Sequence, residues 1–123
     1  MSGRNSSGGL ASLRIALAGL RHLLVSERSS RIHLVAMLVV IVASLAMDLS
    51  LEEWRWIALA VSIVWLSEAF NTAIERLGDA VTDQPDPQIG VAKDLAAAAV
   101  MFAVVAAAII CVSVFGPHLN GSS

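Results

Sequence analysis

The stretch LAAAAVMFAVVAAAIICVSVF, residues 95–115, contains no charged side chain and is long enough to cross a hydrocarbon layer as a single helix. In water such a run would need cover on every side, and a chain of 123 residues has little other material to provide it. The remaining composition agrees, with 57% hydrophobic residues, 15% charged residues and a mean hydropathy of +0.76. There is no room for a separate soluble module, so the chain reads as one all-α integral membrane domain. A formal net charge of -2 excludes nucleic acid as a partner, since that needs a concentrated basic face. Cys111 is the single cysteine and lies inside the same run, so neither a disulfide framework nor a thiolate metal site is available.

Two shorter apolar segments precede this one. Residues 32–47 are nearly all Val, Leu, Ala and Met, and residues 56–70 are apolar apart from Ser62, Ser67 and Glu68. Each falls short of the roughly 20 residues a span requires and reaches that length only if its polar flanks continue the helix to the interface. Trp54 and Trp56 stand where an aromatic belt anchors a helix. The expectation is three transmembrane helices, at about residues 31–50, 54–82 and 90–116. Further upstream Leu10, Leu13, Leu17, Leu20 and Leu24 form one helical stripe, with Arg14, Arg21 and Arg28 on a neighbouring one. That pattern predicts an amphipathic surface helix over residues 10–28, its Leu side in the lipid boundary and its Arg heads near phosphates. A coiled-coil seam is the alternative, but the pattern lasts barely two heptads. Residues 1–9 read as a disordered start, 10–116 as the domain and 117–123 as a tail. No A-x-A-like cleavage site follows an apolar h-region, so the start is not a secretory signal.

Basic residues set the orientation. Arg4, Arg14, Arg21, Arg28 and Arg31 all precede the first apolar segment, while residues 48–55 hold Asp48, Glu52, Glu53 and a single Arg. The positive-inside tendency then places the N-terminus in the cytoplasm and the C-terminus outside. The same topology carries Glu27 with Arg31, the group Glu68, Asn71, Glu75 and Asp79, and the pair Lys93–Asp94 to the cytoplasmic side.

At about 100° per residue, positions 68, 71, 75 and 79 fall on one helical face. Three carboxylates on one stripe repel each other unless a cation neutralises them, and Mg²⁺ favours one or two carboxylates plus substrate phosphates. For Asp79 or Asp83 alone, a polar helix end dipping into the headgroups explains as much. Glu68 follows a run broken only by Ser62, so it sits at or below headgroup level. An acid at that depth is by default a functional residue and suits a general base, the structural alternative being a pair with an Arg of a neighbouring helix. At the start of the last segment the helix dipole accounts for Asp94, whereas Lys93 answers an anion, either a phosphate or the Glu75/Asp79 stripe. His22, His33 and His118 share no metal-ligand spacing and read as interfacial or surface residues. The residues thus point to a cytoplasmic-face site for a cation and an anionic, phosphorylated ligand, without naming a reaction.

The run Glu68–Ala69–Phe70–Asn71–Thr72–Ala73–Ile74–Glu75, followed by Asp79 and later by Ala92–Lys93–Asp94, resembles the small prokaryotic diacylglycerol kinase and undecaprenol kinase family. Gly19–Leu20–Arg21 and Glu27 fit that family's first helix, and the resemblance covers about residues 10 to 116. It implies a homotrimer in the bacterial cytoplasmic membrane, each subunit having a surface helix and three transmembrane helices. The implied activity is transfer of the γ-phosphate of Mg-ATP to a lipid hydroxyl. The resemblance makes Glu68 the general base, Glu27 and Glu75 the Mg²⁺ ligands, and Glu27, Asn71, Glu75, Asp79, Lys93 and Asp94 the nucleotide site. Glu68 and Arg31 become the lipid contacts.

The chain departs from the family where the lipid would enter. Arg28–Ser29–Ser30 stands where the undecaprenol kinase branch commonly has Arg-Asn-Phe, and the surface-helix Trp and Tyr of the diacylglycerol kinase branch are absent. The Glu-Arg-x-x-Arg-Ile-His run at 27–33 and the Asn-Thr-Ala-Ile-Glu form at 71–75 look more like the undecaprenol kinase branch. Competing readings are a non-enzymatic membrane subunit that binds ions or protons on the carboxylate stripe, and a family member that binds nucleotide without turnover.

Overall fold

The computed structural model describes the backbone of residues 6–26 and 28–121 and the side chains of residues 8–23 and 31–121. Four helices follow one another: α1 (Ser6–Ser26), α2 (Arg28–Ala46), α3 (Leu51–Val81) and α4 (Pro87–Leu119). No strand occurs among the described residues, in keeping with the all-α expectation. Two of the helices, α3 and α4, are long and apolar enough to cross a membrane, and α2 adds a shorter apolar stretch at Arg31–Ala46.

Local chemistry fixes the boundaries. α2 ends at Ala46 rather than near residue 50, because Asp48 takes a left-handed φ of 54°, which Asp tolerates better than most side chains. Ser50 then caps α3: its hydroxyl accepts from the Glu53 amide, and the Glu53 carboxylate accepts from the Ser50 amide. α3 ends at Val81, ahead of Pro85, and Asp86 caps α4 by accepting from the Gln88 and Ile89 amides, with Pro87 in the first turn. α4 therefore starts seven residues before Asp94, so the first-turn dipole that was to account for Asp94 does not reach it. At the other end of the chain α1 opens at Ser6, four residues earlier than expected, and residues 1–5 lie outside the described part.

Three serines inside these apolar helices return their hydroxyls to their own backbone. Ser44 donates to the Val40 carbonyl at 2.7 Å, Ser67 to Val64 at 2.8 Å and Ser113 to Ile109 at 2.8 Å. A polar group satisfied within its own helix is compatible with a hydrocarbon surrounding.

α3 and α4 form an antiparallel hairpin that holds most of the packing. Ile57 and Val114 are buried in a cluster with Leu49, flanked by Trp54, Val61, Ile110 and Phe115. Small residues, Ala60 on α3 and Ala96 and Ala103 on α4, are buried along the hairpin, so part of the alanine row is used within the chain. By contrast Leu10, Leu13, Leu17 and Leu20 of α1 are all exposed, and among the described side chains of that helix only Leu23 is buried.

Among the described glycines, Gly78 alone has neighbours pressed against it. A Cβ there would meet Ile89 Cγ2 at 2.8 Å and Lys93 Cε at 3.1 Å. Gly78→Ala should therefore destabilise by about 1–3 kcal/mol through overpacking. Gly90→Ala, with nothing within 4 Å of the added carbon, should be neutral or stabilising by up to about 1 kcal/mol. Unfolding midpoints of the two variants in one detergent check this, and equal midpoints would show that the helices separate freely at residue 78.

Candidate functional site

Every polar residue expected on α3 lies on one stripe, and its exposure rises toward the end of the helix. Glu68 is 1% exposed, Asn71 9%, Glu75 is half-buried, and the Asp79 side chain is 72% exposed. Thr72, beside Asn71, is also buried. At 1.5 Å per residue Glu68 stands roughly 18 Å along α3 from Trp56.

Within the stripe, the Asn71 Nδ2 donates to Glu75 Oε1 at 3.3 Å. The Asn71 Oδ1 is buried and has no hydrogen-bond partner. It is an acceptor-only oxygen facing away from its own amide's donors, so it calls for a donor or a cation. One turn further, Lys93 Nζ of α4 reaches Asp79 Oδ1 at 2.6 Å. Of the two anions offered to Lys93, the stripe is the one it contacts. Asp94 is exposed and joins no contact with the stripe.

Glu68 is met from α2. The His33 Nδ1 lies 3.1 Å from Glu68 Oε2, and the His33 side chain is 17% exposed. His33, read from the sequence as interfacial or surface, is thus largely covered and placed against Glu68. It could have been found from topology, since the start of α2 and the end of α3 must lie at the same end of an up-and-down helix pair. His118 is corrected in the same way: its Nε2 is 2.8 Å from Glu53 Oε2 at the opposite end of the hairpin, where it is largely covered. His22 is exposed, as expected.

Arg31 is exposed at the start of α2 and engaged in an interaction of its own. Glu27 lies outside the described residues. Among the described residues no three His, Cys, Asp or Glu side chains converge as a metal site. Two hollows border Glu68's neighbourhood. An apolar cavity of about 220 Å³ runs between α2, α3 and α4, lined by His33, Met37, Trp65 and Cys111 among others. A wider groove between α1 and α3 is bounded by Gly19, Leu23, Trp65, Thr72 and Arg76.

Fold and stripe together define a small all-helical protein with apolar outer faces and a polar site graded from buried to exposed. The chain matches the family described as "Prokaryotic diacylglycerol kinase" over residues 14–115 and belongs to that family. It is 36% identical over 94 residues to an undecaprenol kinase of Bacillus subtilis, covering 76% of each chain. It is 34% identical over 102 residues to a diacylglycerol kinase of Synechocystis sp., covering 82% of this chain and 58% of that relative. The family is one of membrane lipid kinases, as the resemblance in residues 68–94 implied, and the similarity leans to the undecaprenol kinase branch.

Proposed function

We propose that this chain transfers the γ-phosphate of ATP to the hydroxyl of a membrane lipid, undecaprenol before diacylglycerol, at the cytoplasmic face of a bacterial membrane. The observation that carries this is the near-complete burial of Glu68 on a helix apolar enough to span, with the stripe of Asn71, Glu75 and Asp79 leading from it toward solvent. A lipid hydroxyl arrives from the bilayer and a nucleotide from water, so a kinase acting on both needs this gradation. Family membership supports the enzyme over a non-enzymatic subunit, and the undecaprenol kinase similarity supports the polyprenol substrate.

In this reading Glu68 takes the proton of the lipid hydroxyl as its oxygen bonds to the γ-phosphorus and ADP departs. Arg31 and Glu68 contact the lipid. The site's oxygen donors fit a hard divalent cation: the Glu75 carboxylate adjoins the unpartnered Asn71 Oδ1, and a second carboxylate, Glu27, is close in sequence to α2. Glu27 and Glu75 would hold Mg²⁺, which supplies charge neutralisation for the phosphates when bound. Asn71, Asp79, Lys93 and Asp94 contact the nucleotide or order its surroundings, with Asp79 keeping the Lys93 ammonium aimed along the stripe. The topology proposed is α1 on the membrane surface and α2, α3 and α4 as three spans, α2 extended to sufficient length by its polar start. The assembly proposed is a homotrimer, which gives the exposed apolar residues of α2 and α4 partners of small side chain such as Ala97 and Ala99.

Glu68→Gln should lower kcat by about 10² or more with little change in nucleotide KM. Turnover is measured in detergent micelles with Mg-ATP and, separately, undecaprenol and diacylglycerol; near-normal turnover of the variant sinks the assignment of the base. Glu27→Ala and Glu75→Ala should each raise the Mg²⁺ concentration needed for half-maximal activity, and an unmoved midpoint in both removes them as ligands. Mixed refolding of Glu68→Gln subunits with Glu27→Ala subunits should recover part of the activity if sites are completed across subunits. Dead mixtures of well-assembled subunits would place each site within one chain.

A further inference from the structure

His33 is held in place on more than one side. Its ring stands edge-on to Trp65, centroids 6.5 Å apart and planes at 78°. Trp65 is itself tied back to α2, its Nε1 donating to Met37 Sδ at 3.2 Å. Met37 is one turn beyond His33 on α2, and Trp65 is one turn before Glu68 on α3. The four side chains therefore lock one ring position, which puts Nδ1 3.1 Å from Glu68 Oε2. That nitrogen is buried and has no hydrogen-bond partner in this state. Catalytic contacts in the unliganded state are commonly misaligned and tighten when substrate arrives.

We propose that His33 is a positioning residue for the transfer: its ring, fixed by Trp65 and Met37, orients the Glu68 carboxyl group that receives the lipid proton. This rests on Glu68 being the base. As the lipid O–H bond breaks and the O–P bond forms, the proton moves to Glu68 and ADP carries away the electron pair of the broken P–O bond. Glu68 later returns the transferred proton to water. The titratable and charged groups around the ring are Glu68 on α3, Arg31 two residues away on α2, and Cys111 of α4, which lines the same cavity.

Orientation is separated from packing by substitution. His33→Leu should lower kcat about tenfold or more and leave nucleotide KM unchanged. His33→Asn places an amide nitrogen where Nδ1 stands, so it should recover part of kcat. In a Glu68→Gln background, His33→Leu should have no further effect. An undiminished kcat in His33→Leu overturns the proposal, and so does an equal loss in the Glu68→Gln background or a His33→Asn rate no higher than that of His33→Leu. Should His33→Leu fail to assemble, His33→Ala takes its place with the same expected and overturning results. If Glu68→Gln itself keeps its turnover, the base assignment fails rather than this inference alone.

Discussion

Everything at the site depends on the close approach of α3 and α4. In lipid the hydrophobic effect does not draw helices together, so association rests on van der Waals contact and on small residues that let backbones approach. Gly78, Ala60, Ala96 and Ala103 are those residues here, all buried along the hairpin. The ion pair of Lys93 with Asp79 is too exposed to contribute much stability, since exposed pairs are worth about 0–1 kcal/mol. Its consequence is geometric. It fixes where the one cation of the last helix points, and that is along the carboxylate stripe.

A second constraint is that polar groups in a hydrocarbon surrounding must find partners within the protein. Ser44, Ser67 and Ser113 comply through their own helices. Glu68 is met by His33 from another helix, held in turn by Trp65 and Met37. Burying an acid there costs far more than burying a serine, and the supporting side chains show that the fold is arranged around it.

Much of this was legible in the sequence. The uncharged run at 95–115, the stripe at 68, 71, 75 and 79, and the carboxylate chosen as deepest all follow from one-dimensional spacing, because a helix maps spacing onto faces. The anion that Lys93 answers was narrowed to two, and one of them is in contact with it. Boundaries were less legible. The end of α2 depends on the left-handed turn at Asp48, and the start of α4 depends on the Asp86 cap, both single-residue conformations that periodicity does not register. The two histidines were misread because their partners lie 35 and 65 residues away in sequence, and a contact between helices leaves no periodic trace in either one.

The two ends of the hairpin are charged by opposite rules. At one end Glu53 stands in the first turn of α3 and His118 in the last turn of α4, each the sign that its helix dipole favours, and they pair with each other. At the other end Asp79 occupies the last turn of α3, where the dipole disfavours an anion. Lys93, six residues into α4, lies past the first turn, so the dipole of that helix bears on it as little as on Asp94. A charge chosen for the stability of α3 would not have been the Asp79 carboxylate. That departure lies at the end where the buried acid and the unpartnered Asn71 oxygen also lie, the end that the proposed reaction uses.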